Sequence, residues 1–282
     1  MKKVKLHLNY AGHCFADENH AIKGGRKEKI KFHALWGLIH HAEKGWILYD
    51  TGYTERFFEA TKFYPNKIYA KMTKVVIDPN DEVIAQLKRN KIDPSDIKHI
   101  FITHFHADHV AGLLDFPEAK IYSSRAALKQ VEKIPRAIAF SKGILKDLLP
   151  NNLKERTRVI EDICHPIHDP ILGTKFDLFG DTSLYAIPLP GHSAGQFGLL
   201  LETEKKSYFL IADACWLKKS YQEMAPPNPI VKLFFHSWSD FKSSLKIVHD
   251  YHKLNPAVVI VPTHCEESTD PLVSNKINMN EL

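Results

Sequence analysis

No stretch of the 282-residue sequence approaches the run of about 18 apolar residues that a membrane span requires, so a membrane-embedded chain is not expected. The N-terminus also lacks an apolar block. After its lysines, MKKVKLHLNY alternates Val4, Leu6, Leu8 and Tyr10 with polar residues, which is the periodicity of a strand and not of a signal peptide. Export by that route is not expected. Cysteine is scarce: Cys14, Cys164, Cys215 and Cys265 form no CxxC pair, and a chain of this length needs no disulfides to hold a core. A reducing cytoplasm is the expected compartment. A basic block is missing as well. The net charge of +5 comes from lysines spread along the chain, so nucleic acid is not an expected partner.

What is present is an ordinary globular composition, 44% hydrophobic and 25% charged. IKFHALWGLIHH, the turn AEKG and WILYDTG read as a hairpin whose second strand delivers Asp50 at its end. DEVIAQLKRNKI over 81–92 has helical spacing, with Asp78 or Asn80 placed to cap it. HIFITHFHADH is a β-branched run opening directly into histidines. Helix-like patterns follow near 125–132 and 141–149, and 151–172 is polar and weakly patterned. The whole of 123–172 is expected to be a largely helical insertion covering one side of the site. SLYAIPLPGHSAG, SYFLIADAC and AVVIVPTH then read as strands ending near His192, Asp213 and His264. Each half of the chain thus carries a strand ending in Asp, a helix-bearing segment and a strand ending in Thr-His. Two such halves facing each other make two packed sheets with helices outside, and gather the strand ends at one edge.

His104, His106, Asp108 and His109 form HxHxDH, four candidate ligands within six residues. On an extended loop, residues two apart project to the same side, so His104 and His106 can share one cation while Asp108 and His109 turn to another. His192 completes the first group and His264 the second, with Asp213 placed to bridge both. Imidazole with carboxylate suits Zn²⁺ first and also accepts Fe²⁺, Mn²⁺ or Co²⁺, so two divalent metal ions are the expected cofactor. Water on such a centre ionises near pH ~7, which supplies a nucleophile without serine or cysteine. Asp50 is read either as the group that orients a ligand histidine or the activated water, or as a strand-end cap. Asp108, Asp213 and Asp50 are therefore the candidate catalytic carboxylates.

With LYDTG at 48–52, THFHADH at 103–109, PGHSAG at 190–195, ADAC at 212–215 and PTH at 262–264, the sequence resembles the metallo-β-lactamase superfamily over nearly its whole length. The resemblance implies an α/β fold, the αββα sandwich of two mixed sheets packed face to face, as one domain over 1–282. It also implies a dinuclear site at the ligand positions given above. Within the superfamily the chain is most similar to the N-acyl homoserine lactonases. Asp213 stands where zinc β-lactamases often have cysteine, and His106 where flavodiiron reductases have glutamate. The lactonases place a tyrosine three residues after the bridging aspartate, and here that residue is Trp216. An indole N–H donates but cannot ionise or accept as a phenol does. Trp216 and Tyr221 are the candidate substrate-pocket residues.

The expected function is hydrolysis that opens a lactone or cleaves a carboxylic ester of a small-molecule substrate. Phosphotriester or phosphodiester hydrolysis is the alternative on the same metals. A non-catalytic metal-binding module, regulatory or partner-binding, is the alternative of another class, because fold alone does not fix function. Beyond substrate, the one partner considered is a second copy of the chain, as a homodimer.

Overall fold

The structure, a computed structural model, describes residues 1–277. The first sheet holds β1 (Lys5–Asp17), β2 (Lys29–His41), β3 (Gly45–Tyr49), β4 (Val75–Val76), β5 (Ile97–Phe101), β6 (Lys120–Ser123) and β7 (Thr157–Val159). Their order across the sheet is β4-β1-β2-β3-β5-β6-β7. The second sheet holds β8 (Pro166–Asp169), β9 (Gly173–Asp177), β10 (Leu184–Pro188), β11 (Phe197–Glu202), β12 (Ser207–Ala212) and β13 (Val259–Pro262), ordered β13-β12-β11-β10-β9-β8. Strands β3, β5, β6 and β7 run parallel, as do β12 and β13, and the remaining pairs are antiparallel.

Alternation along the strands explains the layering, because successive side chains leave opposite faces of a sheet. Leu35 and Ile39 of β2, Ile47 and Tyr49 of β3, and Phe101 of β5 meet Leu184, Phe197, Leu199, Leu201 and Leu210 in one buried core between the sheets. Their neighbours Trp36, Leu38, Leu48 and Ile100 face outward, where the helices Val83–Arg89 and Arg125–Lys133 cover them with Leu87, Leu128 and Val131. On the far side, Ile187, Phe209 and Ile211 pack against Leu245 and Val248 of the helix Trp238–Leu254. This is the two-sheet, helix-flanked sandwich expected from the strand pattern.

Three local readings change. Asp78 does not cap the helix at 83; its side chain accepts from Asn80 N and closes a separate short turn at Pro79–Asp81. The expected helix over 141–149 is two short turns instead, separated by Gly143 in the left-handed region at φ 71°. The helical insertion over 123–172 holds only in its first part. Residues 157–159 pair with β6 and residues 166–169 with β9, so both stretches are sheet strands rather than a cover. Each has a strand neighbour on one side only, which leaves no buried alternation for sequence to display.

Candidate metal centre

The parallel strands bring the chemistry to one edge. Asp50 follows β3, Thr103 and His104 follow β5, Asp213 follows β12, and His264 follows β13. Backbone ties fix these ends: Asp50 N donates to Phe101 O at 2.9 Å, and Thr51 holds the carbonyl of His109 through both its N–H (2.8 Å) and its hydroxyl (3.0 Å). Asp50 and Ala212 take positive φ values of 52° and 48°. A non-glycine residue there costs about 1–3 kcal/mol, and such strain collects at functional sites. His192 comes from the turn between β10 and β11. That turn needs Gly191, since a Cβ there would lie 2.0 Å from the backbone nitrogen of Phe241.

His104, His106, Asp108, His109, His192, Asp213 and His264 converge. His104, His106 and His192 offer ligand atoms within 4.8 Å of one another, as do His104, His109 and Asp213, and again Asp108, His109 and His264. Asp213 joins the groups: its Oδ2 lies 3.0 Å from His264 Nε2 and 3.2 Å from His192 Nε2, and its Oδ1 lies 3.5 Å from His109 Nε2. Asp108 Oδ2 sits 3.3 Å from His109 Nε2 and 3.4 Å from His264 Nε2. Burial is the largest cause that holds His104 well below the usual histidine range, His106 down to about 3 and His192 down to about 4. Each of these rings is therefore held neutral, with one nitrogen lone pair free to bind a cation. For His109 and His264 burial acts the same way, but the carboxylates of Asp108, Asp50 and Asp213 override it and raise both. Burial would likewise raise Asp213, yet the imidazoles of His264 and His192 hold it well below the carboxylate range.

The donor set fits divalent cations. His104 Nε2, His109 Nε2 and Asp213 Oδ1 are buried without a hydrogen-bond partner. Each such orphan costs about 1–3 kcal/mol, and a cation among them removes that cost. Two of the rings are anchored by protein through the nitrogen turned away from the cluster. His109 Nδ1 donates to Asp50 Oδ2 at 2.7 Å, and His264 Nδ1 donates to the carbonyl of His33 at 2.8 Å.

Trp216 lines this site, and its indole Nε1 donates to Asp213 Oδ2 at 3.1 Å. Tyr221 does not reach it. Its ring packs with Cys215, Leu245 and Val248 behind the second sheet and lies edge-on to His252 at 5.1 Å. Several contributors escaped sequence reading. Phe32 stacks on His264 with ring centroids 4.7 Å apart, Phe235 meets His192 edge-on at 5.2 Å, and Thr103 donates to Asp50 through both N and Oγ1 at 2.9 Å. Gly143 presses on His106 so closely that a Cβ would fall 2.6 Å from the ring. Phe32 lies far from the motifs along the chain, whereas Thr103 sits inside THFHADH, Phe235 in the aromatic stretch after Asp213 and Gly143 in the segment expected to cover the site.

The family model of the metallo-beta-lactamase superfamily matches residues 31–205. The chain belongs to the metallo-beta-lactamase superfamily. Among characterised members of it, an N-acyl homoserine lactonase of Bacillus cereus is 28% identical over 233 residues, covering 80% of this chain and 82% of the relative. The N-acyl homoserine lactonase AttM of Rhizobium radiobacter is 26% identical over 189 residues, covering 66% and 65% of the two chains. Solved superfamily structures share the fold. An N-acyl homoserine lactone hydrolase with N-hexanoyl-L-homoserine bound at its catalytic metal centre superposes with a TM-score of 0.75 at 21% identity, over 96% of this chain and 97% of the other. AidC, a dizinc quorum-quenching lactonase, superposes with a TM-score of 0.62 at 13% identity, over 94% and 89%.

Proposed function

We propose that this protein is a metal-dependent hydrolase that opens a lactone ring, with N-acyl homoserine lactones as the first substrates to test. The observation that carries the reading is the convergence of three overlapping His/Asp groups whose ligand atoms lie within 4.8 Å of one another. The lactonase relatives, aligned over 80% of the chain, give it a substrate class.

In this reading His104, His106 and His192 hold one cation, Asp108, His109 and His264 hold a second, and Asp213 serves both. Zinc is the metal favoured, because imidazole and carboxylate donors without cysteine suit it. When bound, the cations supply a Lewis acid for the substrate carbonyl and bring the pKa of a water near 7. The rest of the work belongs to the chain. Asp50 and the carbonyl of His33 fix which nitrogens of His109 and His264 face the site, and Trp216 N–H orients the Asp213 carboxylate. Asp108 accepts the proton released as water adds to the carbonyl and returns it to the leaving alkoxide oxygen, so that ring opening yields an acid and an alcohol. Phe32, Trp216 and Phe235 exclude water beside the reacting carbonyl.

The reading extends to a reducing cytoplasmic compartment, supported by four free cysteines. It also extends to a homodimer, which the molar mass in solution by light scattering tests. The test of the hydrolase reading is the initial rate on an N-acyl homoserine lactone before and after chelation, run beside an aryl phosphotriester. Chelator-sensitive ring opening supports it; turnover of the phosphotriester alone replaces it with phosphoester chemistry.

A further inference from the structure

A cleft of about 530 Å³ opens between two loops on the His264 side of the cluster. One wall is the turn after residue 22 and the start of β2, carrying Lys23, Arg26 and Lys31; the other follows Asp213 and carries Lys218 and Lys219. The floor reaches His264. Three carboxylates line the cleft, and each already has a positive or imidazole partner. Glu18 meets Arg26 at 3.2 Å, Glu267 meets Lys218 at 2.9 Å, and Glu266 meets His33 Nε2 at 2.8 Å. Among the described residues, Lys23 and Lys31 have no carboxylate within ion-pair distance, whereas Lys219 meets Glu223 at 3.8 Å and its charge also acts on Glu18. The first wall is anchored by backbone to the loop at 226–228: Lys23 N donates to Pro226 O at 2.9 Å, and Asn228 N donates to His20 O at 3.1 Å. The lysines thus project from anchored chain into a concavity with uncompensated positive charge, where walls of low dielectric focus the field.

We propose that this cleft binds an anionic group, a carboxylate or a phosphate, carried by the substrate at a distance from the scissile carbonyl. The preferred substrates are then lactones or esters with an acidic tail rather than neutral ones. The inference rests on the hydrolase reading and adds the substrate class to it. Two features support it. The cleft is of the size of small-molecule sites, with room beyond a lactone ring. Lysine ammonium groups also bind carboxylate and phosphate through charge-assisted hydrogen bonds, which are the stronger kind.

The experiment compares two N-acyl homoserine lactones of equal acyl length, one ending in methyl and one in carboxylate, on the metal-replete wild type and on a Lys23→Gln/Lys31→Gln variant. The wild type is expected to show kcat/KM about 10-fold higher for the carboxylate substrate, the scale of one charge-assisted hydrogen bond. That preference should shrink with added salt. In the variant the two values should come within about twofold of each other, with the change lying in KM. Calorimetric titration with adipate gives a second readout, with binding expected to wild type and weakened by the double substitution. Equal kcat/KM values in the wild type, or adipate binding unchanged by the substitutions, overturns the inference. If neither lactone is opened while adipate binding still depends on the two lysines, the anion cleft stands and the lactonase reading falls.

Discussion

Asp50 and Asp213 occupy matching places in the two halves of the chain, each buried and each following a strand of a parallel pair, yet their surroundings differ. Asp50 is saturated by protein donors: Thr103 N and Oγ1 at 2.9 Å and His109 Nδ1 at 2.7 Å. Burial is the largest influence on it and raises its pKa. Asp213 faces three imidazoles and keeps Oδ1 without a hydrogen-bond partner, and those imidazoles outweigh burial and lower its pKa. A carboxylate whose valence is filled by the protein can only position its neighbours. One left unfilled among imidazole nitrogens is placed to take a cation. The two halves share a backbone plan and divide the labour through what surrounds each aspartate.

Substitutions at the two positions should break this symmetry. Asp213→Asn removes the charge shared by both groups and is expected to lower lactone kcat/KM by about 10³-fold or more, with loss of bound metal by elemental analysis. Asp50→Asn leaves the cluster assembled but removes the negative charge and replaces one of two acceptor oxygens with an N–H donor, so that His109 Nδ1 and Thr103 compete for a single acceptor. It should weaken metal affinity or activity by about 10–100-fold, read by competition with a chromogenic chelator. If both variants fall equally, the division between them is wrong. A smaller effect sharpens the comparison further. Trp216→Phe keeps a ring and deletes the donor to Asp213 Oδ2, so metal affinity should fall by about 10-fold, the scale of one hydrogen bond to a charged group.

The smallest effect lies away from the site. Burial lowers the pKa of His7 and His99 to about 4 each. Their unfolded value is near 6.5, so between pH 6.5 and 4 the unfolded state binds more protons and stability is lost as pH falls through that window. At pH 5 the loss is about 2 kcal/mol for His7, and smaller for His99, which is only half-buried and screened by solvent. Denaturant titrations at pH 7 and pH 5 should show it, and His7→Gln should reduce the difference.

Much of this was legible in the sequence. HxHxDH and the strand-end residues Asp50, His192, Asp213 and His264 could be read because a β-branched run followed by a ligand residue is a local signal. The sandwich could be read because each half repeats an Asp-ended strand, a helix-bearing segment and a Thr-His-ended strand, and because the motifs in order resemble the metallo-β-lactamase superfamily. Phe32 against His264 and Gly143 against His106 could not be read, since those contacts join segments distant in the chain and carry no periodicity. The indole bond from Trp216 to Asp213 was hidden for another reason. The residue type signalled a departure from the lactonases, but only its orientation shows which atom it addresses. Tyr221 misled because an aromatic residue near a motif looks the same in sequence whether it faces the site or the core behind it.

The central claim is that the histidine and aspartate cluster is a two-cation centre for lactone opening. The most direct measurement is metal stoichiometry together with N-acyl homoserine lactone turnover on one preparation, before chelation, after chelation and after zinc is restored. The account predicts about two metals per chain, loss of ring opening with their removal and recovery on their return. Undiminished turnover by the metal-free protein would contradict it.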